Sequence, residues 1–230
     1  MSQLQVSNNI ALDILKDIKA PKEKLLEFVE ITLKAMHFNK TLKWDNSIKD
    51  VYLATTVNEL VEIYKLRYKV YNRMGYTKEF PPPINGLDFD KYDTNSAILY
   101  TKKNGKINAT CRVIFDSEDK LPLDKNYSLD FLRGKDKKII ELSRLMIENE
   151  TKGLSLEFKY LTKGVYRVMA LNGVTTLTGV MVQEHFKLYS KFGDFRKEAT
   201  IQSYGNLGKP FIVTSWDITN PSKFFKRVFL

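Results

Sequence analysis

The 230-residue chain carries 37 Lys and Arg against 27 Asp and Glu, a formal net charge of +10, with 43% hydrophobic and 28% charged residues. This is the balance of a globular domain, and no run of about 18 apolar residues marks a membrane span. The single Cys111 excludes an internal disulfide and a cysteine metal cluster, and His37 and His185 share no ligand spacing, so no metal is expected.

The positive surplus attracts polyanions in general: nucleic acid, anionic lipid or an acidic protein. No zinc finger, RRM-like aromatic signature or tight Lys/Arg block is present, and the lysines are scattered, so nucleic acid is not the expected partner. The N-terminus, MSQLQVSNNIALDILKD, lacks the basic start and apolar block of a signal peptide, and a cytoplasmic protein is expected.

Residues 1–45 read as a helical appendage. Ile10, Ile14, Leu15 and Ile18 make one helical stripe; Pro21 suits a first turn, and Leu25, Leu26, Val29, Leu33 and Met36 continue at helical spacing. Trp44–Asp50 reads as a polar linker, and residues 51–230 as the main domain. There Val51–Thr55 is a strand, and Thr56 and Glu59 form a T-x-x-E capping box opening a helix to about Tyr71. A Pro- and Asp-rich loop covers 81–95. Strands at Ser96–Thr101 and Ile107–Phe115 flank an Asn104–Gly105 turn. Then follow a strand at Ile139–Ile147, a helix at Leu156–Leu171, a strand at Thr175–Val182, a short helix at Gln183–Phe192, and strands at Lys197–Tyr204 and Phe211–Ile218. This order predicts a mixed α/β sheet flanked by helices, and no nucleotide-binding glycine fingerprint supports a purely parallel one.

Several charges sit where periodicity demands apolar groups. Arg67 falls on the inward stripe Leu60, Ile63, Tyr64, Arg67, Tyr71. Alternation puts Glu141 with Ile139, Ser143, Leu145 and Ile147, and Arg144 on the opposite face with Ile140, Leu142 and Met146. Arg112 faces opposite Ile107, Ala109, Cys111, Val113 and Phe115. With Asp90 and Asp93 these charges either neutralise one another as a buried cluster or line a polar site.

At these residues the chain resembles the acyl-homoserine-lactone autoinducer synthases and their relatives, the long-chain N-acyl amino acid synthases. R-Y-K-V-Y (67–71), D-K-Y-D (90–93), T-C-R (110–112) and I-I-E-L-S-R-L (139–145) are similar to that family's R-x-x-V-F, D-x-Y-D, G-x-x-R and E-x-S-R elements, in order, and the resemblance covers about residues 51–218. It implies a GNAT-like acyltransferase fold and transfer of a fatty acyl group from an acyl carrier protein to the amine of an amino acid or similar small molecule, without a cofactor. Carried over by position, Arg67, Asp90, Asp93, Arg112, Glu141 and Arg144 form a charged cluster, with Ser143 beside them.

The autoinducer synthases carry a tryptophan soon after R-x-x-V-F; here the segment is N-R-M-G-Y-T with Tyr76 nearest, which disfavours S-adenosylmethionine as acceptor. H-F-K-L-Y-S-K-F-G (185–193) looks instead like the H-x-x-x-Y and Y-x-K-x-G-F patterns of N-acyl amino acid synthases and other GNAT enzymes. After Ile147 the chain reads E-N-E-T-K-G-L-S rather than a glycine-rich pyrophosphate loop, which favours an acyl carrier protein over coenzyme A. Such carriers are acidic, and the positive surplus fits one.

On this reading Glu141 is the general base. Backbone N–H groups near Leu145, Met146 and Ile147 meet the oxyanion, Tyr189 protonates the leaving thiolate, and Arg112 or Arg144 binds an acceptor carboxylate. Phe158, Leu161 and Val165 line an acyl groove. For each residue the competing reading is structural: Glu141 pairing with Arg67, Tyr189 packing a helix, the three apolar residues simply core. The rivals are a GNAT enzyme using acyl-CoA, an autoinducer synthase, and a non-catalytic module binding lipid or an acidic partner. The helical appendage is expected to cap the groove or make a dimer contact. The tail S-K-F-F-K-R-V-F-L is expected to pack on the sheet, its aromatic and basic mix offering a peripheral membrane contact as the alternative.

Overall fold

The computed structural model describes residues 18–78, 80–134, 137–149, 154–204 and 207–230; the stripe residues Ile10, Ile14 and Leu15 lie outside them. Pro21 is the N-cap of helix α1 (Lys22–Thr41). Strand β1 (Tyr52–Leu53) leads to α2 (Val57–Arg73), where Thr56 and Glu59 exchange capping bonds as expected. The hairpin of β2 (Ser96–Lys103) and β3 (Lys106–Phe115) turns at Asn104 and Gly105, both at positive φ. Next come β4 (Ile139–Ile147), α3 (Leu156–Leu171), β5 (Thr176–Met181), α4 (Gln183–Tyr189), β6 (Phe195–Ile201), β7 (Phe211–Asp217) and α5 (Lys223–Phe229). Among the described residues, no helix is long and apolar enough to cross a membrane.

The seven strands of the described residues form one sheet in the order β1-β2-β3-β4-β5-β7-β6. All neighbours are antiparallel except β4 and β5. This is the mixed α/β sheet the sequence predicts. One core cluster joins α1 and α2 to Ile98, Tyr100 and Met146 of the sheet; a second joins α3 and α5 to Leu99, Cys111, Val113, Ile140 and Trp216. The cores therefore lie on opposite sides of the sheet.

Two expectations change with the packing. Helix α1 buries Phe28, Ile31, Thr32, Ala35, Met36 and Asn39; of the predicted stripe Met36 is buried and Leu25, Val29 and Leu33 pack at the margin of the same core, while Leu26 is exposed. The prediction ranked aliphatic residues and overlooked Phe28, which packs edge-on against Phe89 and Tyr64. The segment read as a polar linker buries Ile48 and half-buries Trp44 against the second core. The tail is helix α5, whose Phe225 and Phe229 are buried among Phe192 and Trp216, so its largest apolar groups face inward.

Strand β1 is too short to cover β2, and Asn39 continues the ladder where it stops. Its Nδ2 donates to the Ser96 carbonyl at 2.8 Å and its Oδ1 accepts from Ile98 N–H at 2.9 Å. An amide thus occupies the place of a strand on an otherwise unpaired edge. Replacing Asn39 with Ala leaves both buried backbone groups unpaired, each costing about 1–3 kcal/mol. Urea unfolding of Asn39→Ala is expected to show at least that loss; unchanged stability contradicts the edge-pairing role.

Candidate active site

The loop between α2 and β2 brings three aspartates to the sheet, and three arginines meet them. Arg67, fully buried on α2, donates from Nη1 to Asp93 at 2.8 Å. Arg112 on β3 donates from Nη1 to Asp90 at 2.5 Å and Asp93 at 3.2 Å, and from Nε to Ser143 Oγ at 3.0 Å. Arg144 on β4 donates to Asp88 at 2.8 Å and Asp90 at 2.9 Å, its guanidinium 5.0 Å from the centre of the Tyr71 ring. Asp90 and Asp93 also exchange capping bonds that wind residues 91–95 into a short 3₁₀ turn. The formal charges cancel, three against three. Although burial pushes the other way, the neighbouring Arg112 and Arg144 hold Asp90 well below the usual carboxylate range. Asp88 is shifted upward, because its burial outweighs Arg144.

The mutual-neutralisation alternative for these charges is thus the one the fold adopts. Arg67 does not snorkel to the surface. Asp88 escaped the sequence reading, though the L-D-F-D-K-Y-D spacing displayed it as a third acid two residues before Asp90.

Arg144 corrects the alternation. It adopts φ +52°, and the β3–β4 register shifts there, so that Arg112 faces Ser143 while Thr110 faces Met146. Two β4 residues thus oppose Cys111, which makes a β-bulge. The bulge carries Arg144 to the face of Glu141 and Ser143, and sends Leu145 and Ile147 to the opposite core with Leu142. A second bulge between Thr101 and Lys102 places Ile107 with α1 and α2, on Arg112's side rather than opposite it.

Glu141 stands apart from the arginine cluster and does not pair with Arg67. Its side chain is buried, with Oε2 accepting from Leu123 N–H at 2.8 Å and Oε1 facing the Tyr204 hydroxyl at 3.4 Å. Burial pushes its carboxyl up to about 7, against the opposing pull of the Leu123 amide and Arg112. Leu123 belongs to a loop that Arg133 clamps through Asp116, Asp124 and Asp130, while Asp124 also accepts from Leu121 and Leu129 N–H. Neither Leu123 nor Tyr204 was predicted. Their partnership with Glu141 spans 18 and 63 residues of sequence, and no local pattern reports such a distance.

Beyond Glu141 the sheet opens. Strands β4 and β5 pair only from Ile139–Thr176 to Glu141–Thr178, and the bulge then bends β4 away. Met146 and Ile147 still pair with β3, but no β4 residue past Glu141 pairs with β5. On the far face of this opening lies a small apolar cavity of about 20 Å³, lined by Leu142, Leu145, Leu161, Val165, Tyr189 and Trp216 among others. Phe158 packs edge-on against Tyr189 beside it. The sheet therefore separates Tyr189 from Glu141, and burial raises the Tyr189 hydroxyl above its ordinary value. Among the described residues no group of acidic, His or Cys side chains is arranged to hold a metal ion.

Removing Arg67 takes from the fully buried Asp93 its nearer cationic partner and leaves it the longer bond from Arg112. Breaking a buried pair in this way costs roughly 3–5 kcal/mol, a large share of the stability of a typical domain. Arg67→Ala is expected to unfold at clearly lower temperature and lower urea concentration than wild type, measured by thermal and urea unfolding; a variant with wild-type stability contradicts the clustered role.

The family model described as N-acyl amino acid synthase FeeM matches residues 62–217. Among solved structures, FeeM, an N-acyl amino acid synthase from uncultured soil microbes, is similar at 17% identity over 73% of this chain and 89% of its own, with a TM-score of 0.59. The acyl-homoserine-lactone synthase LasI is similar at 21% identity over 78% of this chain and 93% of its own, with a TM-score of 0.57. BjaI, a CoA-dependent acyl-homoserine-lactone synthase solved with SAM and isopentyl-CoA, gives 15% identity over 74% and 81%, with a TM-score of 0.55. At these identities the structures speak for the fold alone. No curated protein matches in sequence. The family match runs from within α2 to the end of β7 and takes in the whole arginine–aspartate cluster and Glu141. The chain belongs to the FeeM family of N-acyl amino acid synthases and is an acyltransferase.

Proposed function

We propose that the protein transfers a fatty acyl group from an acyl carrier protein to the amine of an amino acid or a similar small amine, in the cytoplasm. The observation that carries this is Glu141: a buried carboxylate held near neutrality, uncommitted to any arginine, where β4 and β5 part. A base working at neutral pH needs such a value to take a proton from an ammonium group. The thioester enters from the apolar face, its chain against Phe158, Leu161 and Val165. The small cavity of about 20 Å³ must widen to admit it. The neutral amine attacks the carbonyl, and backbone N–H groups of the unpaired edge near Leu145, Met146 and Ile147 meet the oxyanion. Tyr189, with its hydroxyl held protonated, donates a hydrogen bond to the departing sulfur. Arg112 and Arg144 already have aspartate partners, so the arginine, Asp90, Asp93 and Ser143 cluster serves this reaction chiefly by holding the acceptor side in shape.

Two features favour a carrier protein over coenzyme A as donor. The N-terminus of α3 spends its capping on Ser155 and carries Glu157 in its first turn, a poor setting for a pyrophosphate. Around the apolar opening, α4, α5 and the turn between α4 and β6 expose Lys187, Lys191, Lys223, Lys226 and Arg227, a surface suited to an acidic protein.

Glu141→Gln keeps an acceptor for Leu123 N–H and is expected to fold. Turnover with acyl-carrier donor is expected to fall more than tenfold, and wild-type turnover to rise with pH through about 7 as Glu141 loses its proton. The stability consequence has the opposite sign. Because the folded carboxyl is raised above its ordinary value, the wild type loses stability relative to Glu141→Gln as pH climbs from that ordinary value through 7. Unchanged turnover in the variant rules out the base.

A further inference from the structure

Glu141 poses a problem of access. Its side chain is 1% exposed, one oxygen is tied to Leu123 N–H, and the other is covered by Tyr204. An amine on the acceptor side therefore meets the phenol before it meets the carboxylate. Tyr204 comes from the β6–β7 connection, in the other half of the sheet. Its ring is half-buried and rests on Phe211, and it bridges to Leu207. The 3.4 Å separation from Glu141 is long for an O–H···O bond, whose usual length is about 2.7–2.8 Å. Such looseness is common in catalytic hydrogen bonds before substrate is present.

We propose that Tyr204 is the proton relay through which Glu141 acts. The acceptor ammonium passes a proton to Tyr204 Oη as Tyr204 Oη passes its own to Glu141 Oε1; the neutral amine left behind then attacks the thioester carbonyl. The phenol ends as it began, Glu141 ends protonated, and no bond to carbon changes in the transfer. The inference rests on Glu141 being the base, and it supplies the contact to the acceptor that the buried carboxylate lacks. The charged and titratable groups facing the pair are Arg112 from β3, Asp124 from the clamped loop and Tyr71 from α2. Asp124 is held in its charged form by Arg133, so it does not compete for the proton.

Tyr204→Phe keeps the ring and its contact with Phe211. With the purified protein and acyl-carrier donor, turnover is expected to fall at least tenfold while KM for the donor and the melting temperature hold. The acidic limb of the pH profile is expected to move upward, because Glu141 loses a hydrogen bond that favours its charged form. A role limited to packing moves stability or KM and leaves that limb in place. Independently of any variant, turnover of the wild type in mixtures of H₂O and D₂O is expected to follow a curved dependence on deuterium content, since two protons move together. A linear dependence, or a Tyr204→Phe enzyme within twofold of wild type with the same pH profile, overturns the relay. Glu141→Gln separates the layers: if that variant is inactive while Tyr204→Phe is active, only the relay falls, and if Glu141→Gln is itself fully active, the base assignment falls with it.

Discussion

The fold hangs on a buried ionic lattice. Three arginines from three different elements, α2, β3 and β4, converge on aspartates that one loop supplies. Each ion alone would cost several kcal/mol to bury. The lattice is tolerable because each aspartate pairs with at least one arginine and the charges sum to zero, although Arg67 Nε and Nη2 are buried without a partner among the described residues. The consequence is geometric: residues 88–93 are fixed against the sheet, and the face that carries Glu141 is walled on one side by paired charges.

The arginines of this lattice take their carboxylates from the 88–93 loop, and Glu141 lies outside it. Its carboxylate sits on the same strand as Arg144 but takes its bonds from the opposite direction, from a loop that Arg133 clamps and from Tyr204. A carboxylate shared between two of these arginines, as Asp90 is, is held well below the usual range and would be useless as a base near neutrality. One outside the lattice, desolvated and given a single firm hydrogen bond, stays near 7. The bulge at Arg144 does two jobs at once: it delivers the arginine to the lattice and bends β4 from β5, opening the sheet beside Glu141.

Much of this frame is legible in the sequence, and the reasons are local. The Thr56–Glu59 box, the Asn104–Gly105 turn and the bounds of β4 and α3 follow from spacing and capping chemistry. Arg67 announces itself as a charge on an apolar stripe. The family elements then identify Asp90, Asp93, Arg112 and Arg144, and the family match sets aside a non-catalytic module. What strict alternation misplaces is everything past Ser143, because one residue in the left-handed region reverses the faces that follow. Leu123 and Tyr204 are invisible for a different reason: they reach Glu141 only through the sheet's long-range order. The α1 stripe is legible in Leu25, Val29, Leu33 and Met36, but its buried centre falls on Phe28, which the aliphatic spacing leaves out.

The central claim is that this chain joins a fatty acyl group to an amine and that Glu141 enables the step. The most direct measurement is mass spectrometry of extracts from bacteria overproducing the wild-type chain beside those producing Glu141→Gln at equal soluble level. The account predicts new N-acyl amino acids in the first and their loss in the second, with the product masses naming both acyl chain and acceptor. The same products at equal abundance in both cultures, or none in either, would contradict it.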